Sequence, residues 1–306
     1  MNLSQMSAGT ADRLRSAGLD PVQVAAIIVA TVEEDLDGGV DVTSVSTVPS
    51  TQRSIVTFGA RAAGCLAGLD VACAVVEIVC GADNVTIERV KSDGDRLQKG
   101  DVIARVTAPT QSMLTAERTA LNLMCHLSGV ATATSKWVDA VAGTGAVIRD
   151  TRKTTPMLRR LEKYAVRCGG GENHRMSLSD AALVKDNHIA AAGGVEQAFG
   201  LIRANAAHLP IEIEVDTIDQ LRTAINAGAD VVLLDNMPSA VMREAVQVVA
   251  AHKASTGHDV LLEASGGLTL DNAKDVAETG VHFISVGGLT HSSPILDIGL
   301  DFETVA

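Results

Sequence analysis

The pattern of apolar and polar positions changes character near residue 130. Residues 21–36, PVQVAAIIVATVEEDL, put apolar side chains at helical spacing behind a proline suited to a first turn, and DGGVDVTS ends the run. RSIVTFGAR (53–61) and NVTIERV (84–90) read as strands, with LDVACAVVEIV (69–79) as a helix between them. SDGDRLQKGDVIARVTAP (92–109) has Gly-Asp turns between β-like runs and predicts a hairpin. QSMLTAERTALNLMCHLSG (111–129) reads as one helix ending at its glycine, and a second runs on through Trp137 to Val141.

Beyond residue 146 the rhythm becomes βα. Short apolar runs ending in polar or glycine residues alternate with helical windows: AVIRD, ALVKDNH, IEIEVDT, VVLLDN, VLLEASGG and FISVGG. Runs this short and this apolar suit strands covered on both faces, as in a parallel barrel. No G-x-G-x-x-G follows the first strand, so a dinucleotide-binding start is not indicated. The expected division is a first domain (1–130), a barrel domain (131–290) and a tail (291–306) that could pack back on the first; the sequence leaves that open.

In a βα barrel the reacting groups project from the C-terminal ends of the strands. Those ends supply Arg152 and Lys153, then Lys185, Glu214, Asp235, the Ser265-Gly266-Gly267 loop and the Gly287-Gly288 loop. Period two places Glu212, Glu214 and Asp216 on one face, either a solvated face or, favoured here, the inward face of a site. Asp235 either caps the next helix or serves a metal or ribose. Two carboxylates on successive strand ends would suit Mg²⁺ carried by a phosphorylated ligand. The glycine loops would let backbone N–H groups approach a phosphate.

Charge sharpens this picture. The chain of 306 residues carries a formal net charge of -12, yet nine Arg and Lys between Arg149 and His188 outnumber five acids. An acidic protein with a basic island holds an anion there or pairs the charges internally. Thr154-Thr155-Pro156 reads as a helix start, which would place Arg152 and Lys153 beside its positive end. Arg159, Arg160, Lys163 and Arg167 recur at helical spacing and read as a solvated face. His174 and Arg175 follow three glycines, in a loop suited to covering a ligand. Arg chelates carboxylates bidentately and Lys supplies a compact charge, so the mixture suits a small ligand with several carboxylates and phosphates.

The acidic balance argues against nucleic acid and anionic membranes, and one Trp, one Tyr and four Phe leave little for base stacking. Five cysteines without a C-x-x-C pair fit reduced thiols, and no apolar run reaches membrane-spanning length; a cytoplasmic location is expected.

Several stretches together resemble the quinolinate phosphoribosyltransferase family: ERTALNLMCHLSGVAT, DTRKTTPMLRRLEKYAVRCGGGENHRMSLSDAALVKDNHI, EIEVDT, LLDNM, LEASGGL and ISVGGLTHS, with EEDLDGGVDVTS nearer the start. The resemblance implies an α/β fold, an N-terminal α/β sandwich joined to an open seven-stranded α/β barrel, assembled as a homodimer or a multiple of dimers with shared active sites. It implies phosphoribosyl transfer from 5-phosphoribosyl 1-diphosphate to quinolinate, with Mg²⁺ as cofactor and release of CO₂. It places Thr151, Arg152, His174, Arg175 and Lys185 around quinolinate, with Arg118 reaching in from the neighbouring subunit. Lys153 would lie near the diphosphate and reacting centre. Glu214 and Asp235 would address ribose hydroxyls and Mg²⁺, directly or indirectly, and Ser265, Gly266, Gly267, Gly287 and Gly288 would hold the 5′-phosphate. Rival readings are a molybdenum-associated relative, a nicotinate-using transferase, and a non-catalytic carrier suggested by residues 92–109, which lack a modifiable lysine in a carrier tip motif.

Overall fold

A computed structural model describes residues 5–303. Along the chain run α1 (Ala8–Ser16), α2 (Pro21–Leu36), α3 (Val42–Thr47), β1 (Arg53–Ala60), β2 (Gly64–Cys65), α4 (Leu69–Cys80), β3 (Thr86–Arg89), β4 (Arg96–Leu97), β5 (Val102–Pro109) and α5 (Thr110–Ala140). Then come β6 (Val147–Arg149), α6 (Arg159–Cys168), β7 (Ala182–Val184), α7 (Asp186–Ala192), α8 (Val195–Ala206), β8 (Ile211–Val215), α9 (Ile218–Asn226) and β9 (Val231–Asp235). The last are α10 (Ser239–Thr256), β10 (Leu261–Ser265), α11 (Leu270–Ala277), β11 (Phe283–Ser285), α12 (Gly288–His291) and β12 (Ile298–Glu303). Among the described residues no single helix is long and apolar enough to cross a membrane.

Two compact units emerge, and the chain passes between them more than once. The first contains residues 1–133, 155–170 and 292–306. Its antiparallel sheet has the order β12-β1-β5-β3, so the described part of the tail forms an edge strand against β1; residues 304–306 lie outside the description. Helix α4 is buried almost throughout, Cys73 and Cys80 included, and packs against α1 and α2. The expected hairpin over 92–109 is not formed: β4 pairs with β2, while β5 runs between β1 and β3. Helix α5 is continuous where two helices were expected. A Cβ on Gly129 would come within 2.2 Å of the Pro294 carbonyl oxygen, so glycine here admits the chain that returns toward β12, where Leu296 N–H bonds the Cys125 carbonyl at 3.0 Å.

Helix α6 also groups with the first unit. Leu161, Ala165 and Val166 are buried, and Tyr164 donates to Asp93 at 2.6 Å. Two expectations fail in this segment. The helix begins at Arg159, after a turn in which Met157 has φ 68°, so Arg152 and Lys153 do not adjoin its first residue. Lys163 is fully buried and not part of a solvated face.

The second unit, residues 134–154 and 171–291, contains a parallel sheet in the order β6-β11-β10-β9-β8-β7. All six runs read as strands in the sequence form it. The seventh strand expected for the barrel is reduced to a single parallel bridge between Arg149 and Glu172 at the β6 edge. Pairing register aligns Glu214, Leu233, Glu263, Phe283 and Val147 in one row across the sheet. Two residues on, Asp235, Ser265, Ser285 and Arg149 form the next row on the same face. The opposite face carries Ile148, Ile213, Val215, Val232, Leu234, Leu262, Ala264 and Ile284, all buried. Alternation thus puts every strand-borne polar group on one side, crowded toward the C-terminal ends.

Candidate active site

The β6 end organises one side of the site. Asp150 is fully buried and accepts from His174 N–H at 2.9 Å and from the Asn173 amide at 2.6 Å, tying the loop after the three glycines to the strand end. Lys153 N–H donates to Thr151 Oγ1 at 3.0 Å, and Thr290 on α12 donates to the Lys153 carbonyl at 2.8 Å. Gly287 lies against Lys153 Cδ and Thr151 Oγ1. The sequence-predicted Thr151, Lys153, Gly287 and Gly288 therefore meet at one place.

Arg175 donates to the Ala181 carbonyl at 3.0 Å. Burial first, and then the charge of Arg152, push its guanidinium below the usual arginine range. The Arg152 Nε is itself buried without a partner. Two guanidiniums held near each other, one with an unused buried donor, form a seat for an anion with more than one acceptor.

His174 uses both ring nitrogens. Nδ1 accepts from Arg175 N–H at 2.7 Å, while Nε2 stands 2.8 Å from Glu212 Oε2 and 3.5 Å from Glu263 Oε1. Burial works against the imidazolium, the two carboxylates work for it, and the balance raises the pKa above 6.5. Protonation would nonetheless set a second N–H on Nδ1 against that of Arg175, so the observed bonds hold the neutral Nε2–H tautomer.

Lys185, just after β7, places its ammonium 2.5 Å from Glu214 Oε2 on β8. Glu214 is buried, and Asp235 ends the neighbouring strand β9, where Asn236 donates to one of its oxygens at 2.8 Å. Lys185 already neutralises Glu214, so these hard oxygen donors on adjacent strand ends fit a Mg²⁺ ion only as one that takes most of its coordination from water and ligand phosphates. His174, Glu212 and Glu263 also gather closely enough to qualify as metal-ligating groups, within 4.8 Å of one another. There, however, the Arg149 guanidinium lies 3.1 Å from Glu263 and already supplies positive charge.

The loop after β10 has Gly266 at φ 87° and Gly267 at φ 62°, left-handed conformations that favour glycine. A Cβ on Gly266 would meet Asn236 Oδ1 at 2.2 Å. Successive amides in such a loop, ahead of the capped start of α11, are suited to cradling a phosphate. Asp235 does not cap α10, which begins at Ser239 behind Pro238.

Glu263 and Ser285 are not among the site residues that the sequence predicts, and Arg149 and Asp150 figure there only as members of the charged island. The signal was present: Glu263 stands mid-strand in an otherwise apolar run, on the face that carries Ser265. Arg118 lies exposed on α5, in the first unit.

Paired guanidiniums, adjacent carboxylates and a glycine nest at the C-terminal edge of a parallel sheet could together hold phosphorylated, polyanionic ligands, as the fold class of α/β enzymes does at that edge. The family models for the N-terminal and C-terminal domains of quinolinate phosphoribosyl transferase match residues 41–128 and 130–301. The chain belongs to that family. It is 50% identical over 270 residues to the nicotinate-nucleotide pyrophosphorylase [carboxylating] of Mycobacterium leprae, covering 88% of this chain and 94% of that one. The structure of the nicotinate-nucleotide pyrophosphorylase from Francisella tularensis superposes with a TM-score of 0.85 at 35% identity, over 92% of this chain and 96% of that one. Human nicotinic acid phosphoribosyltransferase shares the fold alone, with a TM-score of 0.61 at 12% identity over 86% of this chain and 72% of that one.

Proposed function

We propose that this chain transfers the phosphoribosyl group of 5-phosphoribosyl 1-diphosphate to quinolinate with decarboxylation, giving nicotinate mononucleotide, diphosphate and CO₂. The observation that carries the reading is the Arg152–Arg175 pair, whose mutual repulsion an acid with two carboxylates would relieve.

The chemistry follows from charge. The C1–O bond of the ribose breaks with its electron pair leaving on diphosphate, and the pyridine nitrogen bonds to C1. The ring becomes a cation that stabilises the electron pair left on the adjacent carbon when its carboxylate departs as CO₂, and a proton from water takes the place of that carboxylate. Arg152 and Arg175 hold the acid, and Lys153 offsets charge developing on the leaving group. Glu214 and Asp235 would hold Mg²⁺, which supplies further positive charge to the diphosphate. Ser265, Gly266 and Gly267, with Gly287 and Gly288, bind the 5′-phosphate. The working form is a homodimer in the cytoplasm, each site completed by Arg118 of the partner subunit.

The test is incubation with quinolinate, the diphosphosugar and Mg²⁺, assaying CO₂ and nicotinate mononucleotide. Nicotinate should be used far less well in kcat/KM, because it leaves a half-buried guanidinium without its carboxylate. Comparable kcat/KM for the two acids would overturn the dicarboxylate assignment.

A further inference from the structure

We propose that Glu263, inside the sheet beneath the strand ends, is a positioning residue for the dicarboxylate end of the site. The proposal rests on the reading of Arg175 as a quinolinate contact.

Glu263 is fully buried, and its neighbours use both of its carboxylate oxygens. Oε1 accepts from Ser285 Oγ on β11 and stands 3.5 Å from His174 Nε2; Oε2 pairs with Arg149 Nη1 on β6 at 3.1 Å. Arg149 is pinned in turn, its guanidinium carbon 3.2 Å from the centroid of the Phe283 ring. Glu263 thus ties three strands together at one point and, with Glu212, faces the protonated nitrogen of His174. The other nitrogen of that ring accepts the Arg175 peptide N–H at 2.7 Å. A connected path runs from the buried acid through the imidazole to the backbone that carries the substrate-binding guanidinium.

An ion pair buried for stability alone is poorly placed, since apolar residues of similar volume at both positions would spare the desolvation of both charges. What the ion pair adds is orientation: it makes one imidazole tautomer and one ring angle much better than the others. Such a residue should matter for one substrate and be nearly silent for the other.

Glu263→Gln keeps the shape but replaces an acceptor by a donor, confronting either the Nε2–H of His174 or the guanidinium of Arg149. The KM for quinolinate should rise by roughly tenfold to a hundredfold, the scale of a misplaced binding group. The KM for the diphosphosugar should stay unchanged. The imidazole ¹⁵N signals of His174, which in the native protein should show one protonated and one unprotonated nitrogen, should lose that pattern. Ser285→Ala, a milder change, should move both readouts in the same direction. A folded Glu263→Gln protein with native quinolinate KM and native His174 signals overturns the proposal, as does an equal rise in both KM values. If Glu263→Gln does not fold, Ser285→Ala decides by the same criteria. Quinolinate turnover by the native enzyme is measured first. Its absence would remove the functional reading, and the His174 signals, which need no turnover, would still judge Glu263.

Discussion

Arg175 shows how little of a residue's role lies in its own chemistry. Its peptide N–H is fixed by His174, one of its guanidinium nitrogens by Ala181, and its charge is opposed by Arg152. Removing the side chain should leave the bond between His174 and the Arg175 peptide standing, and take away the anion contact together with the bond to the Ala181 carbonyl. Arg175→Ala is therefore expected to weaken quinolinate binding by about 10- to 100-fold, the worth of a hydrogen bond to a charged group, with diphosphosugar binding little altered. Calorimetric titration of each ligand separates the two; equal losses would reject the placement. Lys185 differs, because its ammonium already neutralises Glu214. Replacing it would leave a buried carboxylate unpaired and disturb both ligand sites.

At the scale of elements, Gly129 in α5 reads in the sequence as a stop. Its place mid-helix is explained by what lies against it, the backbone of Pro294 and Ile295. Gly129→Ala would gain helix propensity but force that backbone away, and overpacking of this kind costs about 1–3 kcal/mol. A lowered Tm is expected; a raised one would show that the tail does not pack on the helix. Helix α3 gives a pH test. Asp41 caps it, accepting from the Ser44 hydroxyl and backbone N–H and from Thr115, and these bonds hold its pKa below the ordinary 3.8. Folding therefore favours the carboxylate, so the cap stabilises fully above the unfolded value and is lost as pH falls through the lower folded one. Asp41→Ala should cost about 1 kcal/mol at neutral pH. The gap between variant and native protein in chemical denaturation should close toward pH 3 and below; a gap independent of pH would contradict the assignment.

For the whole molecule, the prediction concerns assembly. If Arg118 serves the partner's site, Arg118→Ala and Lys153→Ala homodimers are each nearly inactive. Mixed dimers formed after reversible dissociation then contain one site with an intact Lys153 and an intact partner Arg118. With random reassortment about half the dimers are mixed and carry one good site each, so about a quarter of native activity should return. No recovery, with exchange confirmed by native mass spectrometry, would mean that Arg118 acts within its own chain.

The linear pattern alone determined the six parallel strands, because each is a short apolar run bounded by polar or glycine residues, and strand identity is a local property. It also determined which residues stand at the strand ends, since period two assigns faces without knowledge of the partners. Where one helix ends and the next begins was not local: the continuity of α5 depends on a contact between Gly129 and residues more than 160 positions away. The turn at residues 155–158 displaced a helix start that Thr and Pro signal by themselves. Lys163, charged at helical spacing, was buried by packing that its own segment does not encode. Glu263 was the deepest omission. A lone acid in a strand acquires meaning only when the sheet brings Arg149, Ser285 and His174 around it, and strand order, unlike strand identity, is decided by the tertiary structure.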